Sequence, residues 1–230
     1  MQKNKNSNEN FEYNNSLKEK TGHFTERFFK LNKYLYRPIA SVVVRLLFNT
    51  KITPNHVTIF SFLWSVAAAG LFFLGGHENA VIGAILVQGA QVLDCADGML
   101  ARAKNISSDF GAFLDIFLDR VSDFLFIAGI SYGVYRTTRD IDLLLISFFG
   151  IGLYFLQICL HYLTNQYNNK KSKGETEEGR AVLLLAILVF GLLNRFDILI
   201  YLIFIEGAIN LAARLVGLIR LRIKAAAGKS

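Results

Sequence analysis

Four carboxylates stand at helical spacing in an otherwise apolar part of the chain: Asp94 and Asp97 are three apart, Asp115 and Asp119 four apart. Each pair therefore shares one face of a helix. A carboxylate at the centre of a membrane helix costs about 2.5 to 3.5 kcal/mol, so four without partners would cost on the order of 10 kcal/mol. Something has to offset that charge. An all-oxygen donor set without His or Cys suits Mg²⁺ or Mn²⁺ rather than zinc.

The elements that position these acids follow from composition. The chain of 230 residues is 53% hydrophobic and 19% charged, and its apolar residues fall in long blocks. Blocks at 56–75, 80–101, 110–135, 143–164 and 196–219 meet or approach the roughly 18 to 20 residues needed to cross the hydrocarbon layer. The shorter block Ala181 to Leu193 can begin near Glu177 and must return the chain to the far side, so it counts as a sixth span. The fold class is all-α integral membrane, with six transmembrane helices preceded by an amphipathic juxtamembrane helix. The expected organisation is a polar disordered tail at 1–22, a surface helix at 23–52, a six-helix domain at 53–222 and a cytosolic tail at 223–230. The opening residues are rich in Asn, Lys and Glu, and no cleavable signal is expected there.

In the six-span reading the termini and the even-numbered connections share a side. Of the 25 Lys and Arg, only Arg136, Arg139 and Arg195 fall in the opposite connections, and Arg120 and Arg214 fall within helices. The positive-inside rule puts both termini in the cytosol. The formal charge of +7 is then explained by juxtamembrane cations facing anionic lipid and requires no nucleic-acid partner. Within the surface helix, Phe24, Phe28, Leu31, Leu35, Ile39, Val42, Val43, Leu46 and Leu47 recur mostly every three or four residues, interleaved with Arg27, Lys30, Lys33, Arg37 and Arg45. That pattern suits a helix lying on the cytosolic surface, with Pro38 as its kink point. Thr53 and Asn55 are candidate caps for the first span, with Pro54 in its first turn. Cys95 and Cys159 are expected to be small buried apolar residues.

The two acid-bearing helices are joined by a short turn near Lys104 to Ser108, so they run antiparallel and can face one another. A rise of about 1.5 Å per residue puts Asp97 and Asp94 roughly 7 and 12 Å in from Arg102. The same count puts Asp115 and Asp119 roughly 9 and 15 Å in from Asp109. All four converge in the cytosolic half of the layer. Gly98, Ala101 and Gly111 fill little space beside them, which suits either close helix packing or room for a nucleotide; the neighbouring acids and Arg102 favour the nucleotide.

Asp-x2-Asp-Gly-x2-Ala-Arg-x8-Gly-x3-Asp-x3-Asp, running here from Asp94 to Asp119, resembles the signature of the CDP-alcohol phosphatidyltransferases at every specified position. The resemblance extends from Thr53 to about Arg222. It implies six spanning helices behind a surface helix, and transfer of a phosphoalcohol group, chiefly phosphatidyl, from a CDP-alcohol to an acceptor hydroxyl with release of CMP, in phospholipid biosynthesis. It makes Asp94, Asp97, Asp115 and Asp119 metal ligands and Asp119 also the base for the acceptor proton. Gly98, Ala101, Arg102 and Gly111 would border the nucleotide and donor phosphates. Two Mg²⁺ or Mn²⁺ ions in such a site would neutralise a pyrophosphate and stabilise the departing CMP.

Arg120, Asp123 and Arg180 are candidate acceptor-binding residues, since Asp119-Arg120-Val-Ser-Asp123 and Glu178-Gly-Arg180 resemble elements of the branch that uses inositol phosphate or related polyol phosphates. Asp123 extends the Asp119 face and suits a supporting role beside a buried base. Glu206 and Arg214 are further intramembrane charges that line the acceptor pocket or pair with other helices. Possible donors are CDP-diacylglycerol, its ether-linked counterpart or a CDP-polyol, and the acceptor is a small polar alcohol. The resemblance also implies a homodimer; a prokaryotic plasma membrane is the expected location. An ion-coupled transporter is the rival class, but no repeat is evident and the acids gather toward the cytosol rather than at the midplane.

Overall fold

The computed structural model describes residues 32–167 and 174–227. The polar tail at 1–22, the start of the surface helix with Phe24, Arg27, Phe28, Lys30 and Leu31, the lysines at 170, 171 and 173, and residues 228–230 lie outside the described residues. The described residues form a π-helical turn, Asn32–Tyr36, running directly into α1 (Arg37–Phe48), then α2 (Pro54–Leu74), α3 (His77–Ala103), α4 (Asp109–Thr138), α5 (Ile141–Tyr167), α6 (Gly174–Leu192) and α7 (Phe196–Ala227).

The sequence sets the helix limits locally. Thr53 caps α2: its hydroxyl accepts from the His56 N–H, and the His56 ring accepts from the Thr53 N–H, with Pro54 in the first turn. Ser108 caps α4 by accepting from Gly111 N–H at 3.0 Å. Gly75 and Gly76, at φ 70° and 85°, supply the left-handed turn between α2 and α3 that side chains resist. Pro38 falls within the first turn of α1, where its missing N–H matters little, and the change from π to α geometry comes just before it.

Four described helices are long and apolar enough to cross a membrane: α2, α3, Ile141–Leu160 of α5 and Phe196–Val216 of α7. Gly179–Leu192 of α6 is a shorter apolar helix. The 30-residue α4 has the length for a span, but Asp115, Asp119, Arg120 and Asp123 interrupt its apolar run. Those same residues make it the helix of greatest chemical interest.

The bundle is tightest where α2 crosses α4. A Cβ at Gly129 would lie 2.8 Å from the Ala69 carbonyl oxygen, and one at Gly133 would overlap the Phe72 carbonyl. Phe72 then stacks edge-on against Phe196 of α7 and Phe126 of α4, with centroids 5.5 and 6.4 Å away. α3 packs against α2, α1 and α6, and α5 against α7. Large apolar side chains such as Leu63, Phe113, Phe148 and Ile209 point outward, as a surface facing hydrocarbon requires. The expectation that both cysteines are buried fails for Cys159, which is exposed on α5, while Cys95 is half-buried. In a lipid-facing helix an apolar residue is as well placed outside the bundle as within it.

Candidate active site

The site lies where the end of α3 meets the start of α4, at the end of the bundle that also holds α1 and the start of α6. One carboxylate oxygen from each of Asp94, Asp97 and Asp115 lies within 4.8 Å of the others. Antiparallel packing of two helices with acids at three- and four-residue spacing produces this convergence. Asp97 is buried, and its Oδ2 accepts from the Thr58 hydroxyl of α2 at 2.6 Å, which fixes the carboxylate's orientation.

Asp119, expected in the same layer, is tied to the cluster through an arginine. Arg180 of α6 reaches in with its guanidinium 3.3 Å from Asp94 Oδ2, 2.9 Å from Asp119 Oδ1 and 3.0 Å from Asp123 Oδ1. Its Nη1 also donates to Gln91 Oε1 at 2.9 Å. Asp123 is fully buried; its second oxygen lies 2.9 Å from Arg120 Nη1 and accepts from the Tyr154 hydroxyl at 2.9 Å. Asp123 is thus a supporting partner to two arginines. Arg120 Nη1 also contacts the Tyr154 hydroxyl at 3.3 Å, while its Nε is a buried donor with no partner among the described residues.

Charge decides what this arrangement can hold. Five carboxylates gather here, those of Asp94, Asp97, Asp115, Asp119 and Asp123, and Arg120 and Arg180 pair with Asp94, Asp119 and Asp123, so among these groups negative charge is in surplus in a poorly solvated place. Such a surplus is tolerable when cations share the site. The clustered oxygens of Asp94, Asp97 and Asp115 fit a hard divalent ion in donor type.

The remaining expected residues fall on both sides of this cluster. The Arg102 guanidinium folds back over Gly98, since a Cβ there would meet it at 3.6 Å and nothing else closer than ordinary contact. Ala101 is half-buried and Arg102 exposed. A Cβ at Gly111 would meet the Ser108 hydroxyl at 3.1 Å and Asn55 Oδ1 at 3.2 Å, so this glycine makes room for the cap and for the start of α2. Glu206 stands away from the acids, accepting from Gln157 of α5 at 3.4 Å and from Asn210. Arg214 is half-buried on α7.

Thr58, Gln88, Gln91, Tyr154, Asn32 and Tyr36 are polar partners that the motif does not contain. For the glutamines a signal exists, because Gln88, Gln91, Asp94 and Asp97 continue one stripe every three residues along α3. The Tyr36 hydroxyl donates to Gln88 Oε1 at 2.6 Å. Burial, with Cys95 nearby, pushes that hydroxyl up to about 12, so it keeps its proton and remains a donor.

The chain resembles known proteins in sequence and in fold. The family model for CDP-alcohol phosphatidyltransferase matches residues 51–219. The archaetidylinositol phosphate synthase of Pyrococcus horikoshii is 42% identical over 82 residues, which cover 36% of this chain and 42% of that protein; the chain thus spans under half of that relative's length. Inner membrane protein YnjF of Escherichia coli is 31% identical over 173 residues, covering 69% of this chain and 80% of that protein. The Mycobacterium tuberculosis phosphatidylinositol phosphate synthase has the same fold. Its structure with CDP-DAG bound gives a TM-score of 0.60 at 24% identity, over 79% of this chain and 92% of that one. Its complex with manganese and citrate gives 0.64 at 23%, over 76% and 87%.

Proposed function

Since the chain belongs to the CDP-alcohol phosphatidyltransferase family, we propose that it transfers a phosphatidyl-type group from a CDP-linked lipid to the hydroxyl of a small polar alcohol, releasing CMP in phospholipid biosynthesis. The convergence of Asp94, Asp97 and Asp115 within 4.8 Å carries this reading, because it gives the family signature a working geometry. These three acids, with Asp119, would hold two Mg²⁺ or Mn²⁺ ions. Bound there, the ions would neutralise the donor's diphosphate and the departing CMP.

The protein's own side chains do the rest. Asp119 takes the proton of the acceptor hydroxyl as its oxygen bonds to phosphorus and the phosphorus–CMP bond breaks. Thr58 holds the Asp97 carboxylate in one orientation. Arg102, beside Gly98, steadies the donor phosphates, and Gly98, Ala101 and Gly111 border the nucleotide. Arg120 and Arg180 face the acceptor, with Asp123 holding both; the unpartnered Arg120 Nε is a donor suited to a phosphate oxygen. That favours a polyol phosphate acceptor, in keeping with the name of the archaetidylinositol phosphate synthase relative. CDP-diacylglycerol or its ether analogue is the favoured donor, its tails entering sideways between helices.

In this reading α2 to α7 all span the membrane, both termini and the site face the cytosol, and the protein is a homodimer in a prokaryotic plasma membrane. The longest apolar helices and the distribution of Lys and Arg support the orientation. The test is an acceptor screen with CDP-diacylglycerol and Mg²⁺ or Mn²⁺, comparing glycerol phosphate, inositol phosphate, free inositol and serine by CMP release. Release with inositol phosphate is expected. Release with serine or free inositol alone would remove the phosphate-gripping role of the arginines, and silence with all four would point to a CDP-polyol donor.

A further inference from the structure

The turn that precedes α1 is connected to α6, the helix that carries Arg180, by two parallel hydrogen-bond relays. In the first, Gln91 Nε2 donates to Asn32 Oδ1 at 3.3 Å while Gln91 Oε1 accepts from Arg180 Nη1 at 2.9 Å. In the second, Tyr36 donates to Gln88 Oε1 at 2.6 Å while Gln88 Nε2 donates to the Leu184 carbonyl at 2.7 Å. Each relay runs from the π-helical turn through α3 to α6. The spacings match: Asn32 and Tyr36 are four apart, Gln91 and Gln88 three apart, Arg180 and Leu184 four apart, each pair on one helical face.

Asn32, Tyr36, Gln91 and Arg180 are all buried. Polar groups are retained in such a place only when their partners are fixed, and fixed partners define register. The apolar run of α6, Gly179–Leu192, is shorter than the four helices long enough to cross a membrane, so apolar length alone fixes its register weakly. A slip of one residue along α6 would shift Arg180 by about 1.5 Å, enough to lose its hydrogen bonds to Asp94 and Asp119.

Resting on the transferase reading above, we propose that Gln91 and Asn32 are positioning residues for the transfer reaction: together with Gln88 and Tyr36 they set the register of α6 and hold Arg180 against Asp94 and Asp119. The turn before α1 is thereby part of the active-site framework as well as of the membrane surface. Neither residue touches substrate; both act through Arg180.

The experiment uses the full chain in nanodiscs, with CMP release and Mn²⁺ binding measured by electron paramagnetic resonance on the same samples. Gln91→Leu should lower kcat by about tenfold or more, the loss expected for a hydrogen bond to a charged group, with little change in donor KM. Gln91→Glu, which keeps an oxygen for Arg180 but gives up the N–H donated to Asn32, should recover part of the activity. Asn32→Leu should give a smaller loss, and the double variant Asn32→Leu with Gln91→Leu should be no worse than Gln91→Leu, as for two members of one relay. All variants should still bind Mn²⁺ saturably. Wild-type kcat in Gln91→Leu, no recovery in Gln91→Glu, multiplied losses in the double variant, or loss of Mn²⁺ binding together with activity would each overturn the proposal. A wild-type protein that releases no CMP with any donor and acceptor would instead remove the transferase reading, and this inference with it.

Discussion

Arg180 Nε and Asp123 Oδ1 lie 3.0 Å apart across α6 and α4, and the Asp123 side chain has no exposure to solvent. Removing one member of a buried pair leaves the other charge uncompensated, which costs about 3 to 5 kcal/mol. Asp123→Ala should therefore lower the thermal unfolding midpoint in detergent, because Arg120 loses the carboxylate it pairs with, while Arg180 keeps Asp94 and Asp119. An unchanged midpoint would mean that the pair is absent from the folded protein.

Thr58→Val keeps the shape of the side chain and deletes the hydroxyl that donates to Asp97 at 2.6 Å. Partners of metal-binding carboxylates typically matter by about 10- to 100-fold in affinity or activity. Mn²⁺ titration should show a weakening of that order with the fold intact. Affinity equal to wild type would exclude Asp97 from the ion-binding set.

The glycines separate packing from ligand space. Gly98→Leu should fold, since a Cβ at that position meets only the mobile end of Arg102 at 3.6 Å, and it should raise the donor KM by filling the nucleotide's place. Gly133→Ala should fail differently. Its Cβ would overlap the Phe72 backbone, and forcing two helices apart costs typically about 1 to 3 kcal/mol or more, read as a lower unfolding midpoint. A normal donor KM in folded Gly98→Leu would move the nucleotide away from this face.

Much of this was legible in the sequence because membrane helices are written in long blocks. The helices end close to the block limits, and Thr53 and Ser108 begin two of them as capping residues should. Asp94, Asp97 and Asp115 converge because helical spacing and one short turn leave them little choice, while Asp119 meets them through Arg180. Arg180 was visible as a charge but not as the hub, since nothing local brings a residue on α6 to Asp94 and Asp123, 86 and 57 positions away. The exposed Cys159 shows the complementary failure: in hydrocarbon, apolar character does not distinguish the inside of a bundle from its outer face. α4 shows how length and hydropathy part company, for the charged residues of the signature are those that interrupt its apolar run.

Asp119→Asn isolates the proposed base. The amide keeps the size and a hydrogen-bonding oxygen for Arg180, but cannot accept the acceptor's proton. A positioned base contributes roughly 10²- to 10⁴-fold, so kcat should fall by that range while Mn²⁺ binding through Asp94, Asp97 and Asp115 persists. Full activity would assign the proton to another group.

The dependence of CMP release on Mn²⁺, measured for the wild-type protein and Asp97→Asn with CDP-diacylglycerol and inositol phosphate, tests the ion-binding claim most directly. Release should rise saturably with Mn²⁺, vanish in chelator and be lost in Asp97→Asn. Release that is indifferent to chelator, or that survives undiminished in Asp97→Asn, would contradict it.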